Sequence, residues 1–536
     1  MKRKYRTESL LFWIILFFAV FIRCIGFGVI PAGVNADEAM AGVDAWSLAQ
    51  YGTDRFGIRY PVHFLAWKYG QMSVLLSYCM IPFIKLLGFQ IVSVRLPMLV
   101  VSCGTVVIVY LIVKRLFHEK MALVVMALTA INPWHFIQSR WSLDCNLFPH
   151  VFLLAFYLLL LGLEKKRYLY LSMIFFGLTF YCYGVAVYSV TPFLIVFMLW
   201  CLWKKQLRWY EVFLCALICG MIALPEMMVM LINRYPWRFG WQGIETPLFT
   251  MGYFPDSVRS NDILFLNFSF EQLGQNLLSM FKKCFLQTPD WLFSTIPAFG
   301  PLYHVSIPFI VIGIVSYTKE LFSEKELRKQ TRMLALWGYL ITGIWIGAVT
   351  LEVNVNRINL IWFPLIIFCG YGIEKVITWG KRHHKNAKVL GGTIAGVYGL
   401  LGILFITSYF TYYRENVKSY YNVEFLEAVG RADEMEGYDT LYITGTIDEQ
   451  FNPSAAEILT HFRCKIDARY YREETNVTGG RELLPYNERY HFFYPDRVEE
   501  LQDGLYMFHT SDLPKLNCDV NIIETVGPYV LATKSE

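Results

Sequence analysis

Charge is scarce in this chain. Only 17% of its 536 residues are Asp, Glu, Lys or Arg, where a soluble domain carries about a quarter. The motifs that hold nucleotides and metals are missing too. There is no GxxxxGK(S/T) loop, no GxGxxG ahead of a helix, no HExxH and no DxD. ATP, dinucleotide and zinc chemistry therefore lose their usual footholds, as does a metal-bound nucleotide sugar, and nothing points to nucleic acid. No CxxC occurs among the 12 cysteines, most of which lie in apolar runs. Cys464 and Cys518 share the C-terminal region, so a disulfide between them is open but not favoured. A cleavage site is also absent. Lys2, Arg3, Lys4 and Arg6 precede the apolar run 10–27, yet no small-residue cleavage pattern comes before Asp37. That start reads as a retained anchor with a cytoplasmic N-terminus.

What the chain has in abundance is apolar length. Hydrophobic residues make up 55% of it, and its mean hydropathy is +0.40. Runs of membrane-spanning length recur over the first three quarters, which predicts a polytopic α-helical membrane protein. Basic clusters punctuate these runs: Lys114-Arg115 with Lys120, Lys165-Lys166-Arg167, Lys204-Lys205 with Arg208, Lys319 to Arg332, and Lys381-Arg382 to Lys388. If every cluster is cytoplasmic, the chain crosses about eleven times. The spans fall near 10–30, 93–113, 121–138, 147–163, 168–183, 187–202, 210–232, 299–317, 333–350, 358–378 and 389–410. The apolar run 71–88 would reverse every later loop if it crossed, so it is expected as a helix lying on the outer surface. The outward side then receives a first loop, 31–92, short turns at 139–146, 184 and 351–357, and a large loop, 233–298. Residues 1–410 form the membrane domain. From Thr411 the membrane character is lost, and 411–536 alternates helix-like stretches (424–432, 454–462) with β-like runs (440–443, 490–493, 505–508, 529–532). That pattern predicts a small α/β domain outside the membrane.

The candidate chemistry collects at the outward mouths. Asp37 and Glu38 follow the first span in Pro31-x-Gly33-x-Asn35-x-Asp37-Glu38. A carboxylate beside an apolar surface holds its proton more tightly and so serves as a base near neutral pH. Adjacent solvated loop acids are the plainer alternative. Asp144, with Arg140 four residues before it, lies on the next outward turn; the two either pair along a helix face or wall the same site. Lys68 and Arg357 are isolated cations on the outward side, against the positive-inside bias, and call for an anion such as phosphate. Arg357 is flanked by Asn354, Asn356 and Asn359, costly groups at a membrane boundary unless satisfied. Tyr181 and Tyr183 suit either a sugar or an aromatic belt. Asp290 with Trp291 in the large loop, and Tyr303 with His304 at the next mouth, complete the sugar or acceptor cleft.

The elements Pro31-x-Gly33-x-Asn35-x-Asp37-Glu38-Ala39, Tyr51-Gly52-x-Asp54-x-x-Gly57, Tyr78-x-x-x-Pro82-Phe83 and Val94-Arg95-Leu96-Pro97 resemble the first outer loop of GT-C glycosyltransferases. The branch is that of the protein O-mannosyltransferases and the bacterial aminoarabinose transferases, and the resemblance covers roughly 10–410. It implies inverting transfer of a sugar from a polyprenyl-phosphate donor to an acceptor hydroxyl outside the membrane. Asp37 would then be the general base, Glu38 and Asp144 its acidic partners, and Lys68, Arg357 and Arg140 the donor-phosphate residues. Tyr181, Tyr183, Asn356, Asp290, Tyr303 and His304 would line the cleft. The partners implied are the lipid-linked donor, membrane lipids and a glycan, lipid or protein acceptor. No cofactor is called for, although a divalent cation stays open. The expected location is a bacterial plasma membrane with the tail outside. Two other classes compete: a transporter or flippase of a lipid-linked saccharide, which would place charges at mid-membrane in broken helices, and a non-catalytic glycan-binding subunit, which would not need Asp37.

Overall fold

The computed structural model describes residues 2–66, 70–255, 268–350, 352–383, 386–448, 450–478, 480–498 and 500–535. The chain forms two compact units: Met1–Phe27 with Met98–Met228 and Val258–Tyr413, and Gly28–Pro97 with Val229–Ser257 and Arg414–Glu536.

Among the described residues, nine helices are long and apolar enough to cross a membrane: Thr7–Cys24, Ile91–Leu116, Asp144–Gly162, Ala186–Trp203, Trp209–Arg234, Ser306–Ser323, Leu327–Val349, Asn359–Arg382 and Ala387–Asn416. The protein is an integral membrane protein. Two of the eleven expected spans do not reach that length. The run 121–138 is the 13-residue helix Glu119–Ile131 followed by a break at Asn132 and the short helix Pro133–Gln138. The run 168–183 is the 13-residue helix Lys166–Leu178 followed by a 3-10 turn. Thirteen residues rise only about 20 Å, short of the ~30 Å hydrocarbon core. The reason for the first break is local: Pro133 lacks the N–H that a continuing helix needs, and the Asn132 side chain caps the new helix instead.

In the first unit the closest helix pair is Ser306–Ser323 with Trp362–Arg382. Glycines allow it. A Cβ on Gly313 would lie 2.0 Å from the Phe368 carbonyl oxygen, and one on Gly372 would lie 1.8 Å from that of Phe309. Small residues are how membrane helices gain backbone contact without a hydrophobic drive. One end of this unit is held by charge. Arg115 and Arg332 both pair with Glu164, Lys166 pairs with Glu211 at 3.2 Å, and Gln206 reaches Thr331 at 2.8 Å. The basic clusters at 114–120, 165–167, 204–208 and 319–332 therefore share one end. Asp144 and the turn 352–357 sit at the other ends of the Asp144–Gly162 and Leu327–Val349 helices.

The second unit joins the first loop to the tail. The run 71–88 supplies part of a two-stranded ribbon, His63–Ala66 with Gly70–Ser73, and then the 13-residue helix Leu75–Leu87, too short to cross. The helix Ala36–Tyr51 packs on Leu75–Leu87 and on the tail helix Pro453–Arg463. The tail carries a five-stranded sheet in the order Tyr490–Phe493, Leu441–Thr444, Leu505–His509, Tyr529–Lys534, Val520–Val526. The first two pairings are parallel and the last two antiparallel. All four expected strands lie in this sheet, and both expected helices form, as Val423–Glu434 and Pro453–Arg463. The edge strand Val520–Val526 was not expected from the sequence. Cys464 and Cys518 are both free thiols.

Candidate functional site

The predicted site residues fall into both units, and each group is described within its own. In the loop-and-tail unit, Asn35 caps the helix Ala36–Tyr51, its side chain accepting from the Asp37 N–H at 3.0 Å. Asp37 and Glu38 occupy the first turn, where unpaired N–H groups and the helix dipole favour negative charge. The two acids then diverge. Glu38 is fully buried in a two-pronged pair with the equally buried Arg95: Nε to Oε1 at 2.8 Å and Nη2 to Oε2 at 2.7 Å. The same guanidinium donates to the carbonyls of Pro31 at 2.6 Å and Gly33 at 2.7 Å. Planar forks of this kind fix position as well as charge. Asp37, the residue before it, is half-buried.

The approach to the acids is held from the tail as well. Gly33 has φ +72, and a Cβ there would lie 2.2 Å from the Tyr421 carbonyl oxygen, so both backbone and space demand glycine. Asn422 donates to the Val34 carbonyl at 3.0 Å, and the Asn35 side chain donates to that of Tyr420 at 3.3 Å. Farther along the loop, Asp44 is buried and paired with Arg55, whose backbone N–H it also accepts at 3.1 Å. Asp54 closes the following turn by accepting from the N–H groups of Phe56 at 3.0 Å and Ile58 at 2.9 Å. Burial, with the nearby Asp44 charge, pushes the Asp54 carboxyl up to about 7.

In the helical unit, Asp144 is buried in the first turn of the Asp144–Gly162 helix and accepts from the Cys145 N–H at 2.7 Å. Arg140, expected on the donor phosphate, is fully buried. It donates to the carbonyls of Arg23 and Ile25, each at 2.7 Å, and to the Tyr409 hydroxyl at 3.0 Å. It closes the C-terminal end of the first helix, whose last carbonyls need donors. Arg357 keeps much of its reach. Its side chain is 30% exposed, with Glu352 as a loose partner at 3.7 Å. Its turn is organised by Asp290, which accepts from the Val355 N–H at 2.6 Å and pairs with the buried Lys283 at 3.2 Å. Asn356 accepts from Gln138 at 2.7 Å. This end therefore gathers Asp144, Asn356 and Arg357 on adjoining turns.

The Tyr181 hydroxyl donates to the Ile222 carbonyl at 2.7 Å, and the buried Tyr303 donates to that of Ile131 at 2.6 Å, at the helix break. Tyr303 also lines a small cavity with Asn132, Ser306 and Tyr398. Tyr183 is half-buried against Phe148, and His304 is exposed. Lys68 lies outside the described residues. Arg95 and Lys283 were missed as site residues. The signal for Lys283 was present, since it too is a cation on the predicted outward side. Arg95 stood inside a family-like motif but had no visible partner. Among the described residues no group of three or more His, Cys, Asp or Glu side chains could hold a metal ion.

The fold is similar to that of solved ArnT structures, and part of the chain matches one family model. Residues 72–228 match the family described as dolichyl-phosphate-mannose-protein mannosyltransferase. ArnT from Cupriavidus metallidurans in the apo state has a similar structure over 98% of each chain, at 12% identity and a TM-score of 0.54. The same protein bound to undecaprenyl phosphate gives 97% of each chain, 11% and 0.53. The apo Archaeoglobus fulgidus oligosaccharyltransferase matches over 85% of this chain at 13% identity and a TM-score of 0.48, and this chain spans 64% of its length. No curated protein matches the chain by sequence.

Proposed function

We propose that this protein is a membrane glycosyltransferase that moves a sugar from a polyprenyl-phosphate donor to an acceptor hydroxyl at the non-cytoplasmic face, with inversion. The observation that carries the reading is the division between the two adjacent acids. Glu38 is buried and fixed by Arg95, while Asp37 sits half-buried in the same helical turn. Glu38 is thus a positioning residue and Asp37 the base. Asp37 takes the proton of the acceptor hydroxyl as its oxygen bonds to the anomeric carbon. The bond from that carbon to the phosphate oxygen breaks, and its electron pair leaves with the polyprenyl phosphate. Cations beside that phosphate, for which Arg357 and Lys68 are the candidates, stabilise the charge that develops there. Asp290 and Lys283 hold the turn that carries Arg357. The full-length likeness to ArnT, which has been solved with undecaprenyl phosphate, supports a lipid-phosphate donor. No transporter reading is favoured, since Asp144 and Arg357 lie at helix ends and not in mid-helix.

The test is Asp37→Asn in membranes supplied with polyprenyl-phosphate sugars. Loss of a positioned general base should lower turnover by roughly a hundred- to ten-thousandfold, with folding and donor binding kept. Undiminished transfer would remove Asp37 from the mechanism.

A further inference from the structure

Three carboxamides at the Asp144 end of the helical unit are buried with one polar atom each left unmatched: Gln138 Oε1, Asn146 Nδ2 and Asn359 Oδ1. Their residues are only 1%, 2% and 1% exposed. The group is connected. Gln138 donates to Asn356 Oδ1 at 2.7 Å, and Asn359, three residues on, donates to the Cys145 carbonyl at 2.5 Å. Asn146 follows Cys145 directly in the chain. A carbonyl only accepts, so the Cys145 contact fixes the Asn359 amide with its nitrogen inward and its oxygen as the unmatched atom. Asn146 and Asn359 also stand in the first turn of two membrane-length helices, Asp144–Gly162 and Asn359–Arg382. Unmatched polar groups there are expensive, and a fold keeps them only when something else completes them.

We propose that Gln138, Asn146, Asn356 and Asn359 read the sugar of the lipid-linked donor by hydrogen bonds to its ring hydroxyls. The inference rests on the glycosyltransferase reading and extends it to the sugar. Two unmatched acceptors and one unmatched donor suit neighbouring hydroxyls, each of which both donates and accepts. They do not suit a phosphate, which only accepts and would face two amide oxygens. The cluster thus adds a neutral, hydroxyl-reading element to the cationic one at Arg357, and it explains why amides and not further charges crowd the turn 354–359.

The experiment compares two probes on the purified full chain in lipid nanodiscs: bare polyprenyl monophosphate, and the same lipid carrying one of a panel of hexoses and amino-pentoses. At least one sugar should raise affinity over the bare lipid. Gln138→Met and Asn146→Leu should each cut that gain by roughly three- to tenfold and leave bare-lipid affinity within about twofold. Either of two results overturns the proposal while sparing the proposed function: bare lipid binds and no sugar adds affinity, or the variants leave the sugar's contribution intact, as buried water alone would predict. Failure of every polyprenyl phosphate to bind overturns the proposed function and this inference with it. Should a variant not fold, a photoreactive sugar on the donor lipid answers in the wild-type protein. Cross-links on 138–146 or 354–361 support the cluster, and cross-links confined elsewhere overturn it.

Discussion

The corner around Glu38 and the corner around Asn359 are both buried and polar, yet they are finished in opposite ways. At Glu38 every charge is answered. Arg95 meets both carboxylate oxygens and two loop carbonyls besides. At Asn359 the groups are neutral and half-answered, with three amide atoms left over. A closed ion-pair fork makes a rigid mount, which suits the adjacent acid proposed as the base. A set of unfinished amides makes a poor mount and a good receptor. The difference teaches that in this fold a buried ion pair holds the frame at Glu38, while the amides around Asn359 are buried with atoms unmatched.

Breaking the mount should have the largest effect. Arg95→Leu leaves Glu38 buried without its cation, which should cost about 3–5 kcal/mol and carry transfer activity down with it. Replacing both partners, Arg95→Leu with Glu38→Leu, should recover most of the thermal stability while activity stays low, because the carbonyls of Pro31 and Gly33 lose their donors. Recovery of activity in the double variant would show that the fork does not position Asp37.

The contrast sharpens at the exposed cation. Arg357→Ala removes a partly exposed guanidinium that the frame does not depend on. Stability should change little, while the apparent KM for the lipid donor rises roughly tenfold and the acceptor KM holds. A donor titration that superimposes on wild type would exclude Arg357 from the phosphate site.

The smallest effect concerns a buried acid that has no full mate. The Asp54 carboxyl titrates near 7, above its unfolded range near 4. A raised carboxyl binds its proton more tightly in the folded state, so its favourable contribution is complete below about 4 and is lost as pH rises through 7. Asp54→Asn should therefore raise the melting temperature relative to wild type more at pH 8 than at pH 5, by a few degrees at most. An equal shift at both pH values would mean that Asp54 is ionised across that range.

Much of this was open to reading in the linear chain. The four strands 440–443, 490–493, 505–508 and 529–532 carry alternating or aromatic patterns that suit a half-buried sheet. The acids at 37–38 stood out directly after the first apolar run. The basic clusters mark one end of the bundle because a bilayer sorts charge by side. The edge strand Val520–Val526 escaped because its exposed face weakens the alternation. Arg95 escaped for a different reason. Nothing near it in sequence hints that its partner lies 57 residues earlier.

Arg140 shows the same limit, since nothing near it in sequence hints that its guanidinium reaches the end of a helix 117 residues away. Composition and periodicity act locally, so the chain alone marked nine of the helices long and apolar enough to cross a membrane and the small α/β tail that follows. Which acid is locked and which stays half-exposed, and which amides are left unfinished, depended on side chains from distant segments competing for the same few hydrogen bonds. That competition is settled only when the segments pack, because burial is what makes an unanswered charge or amide costly.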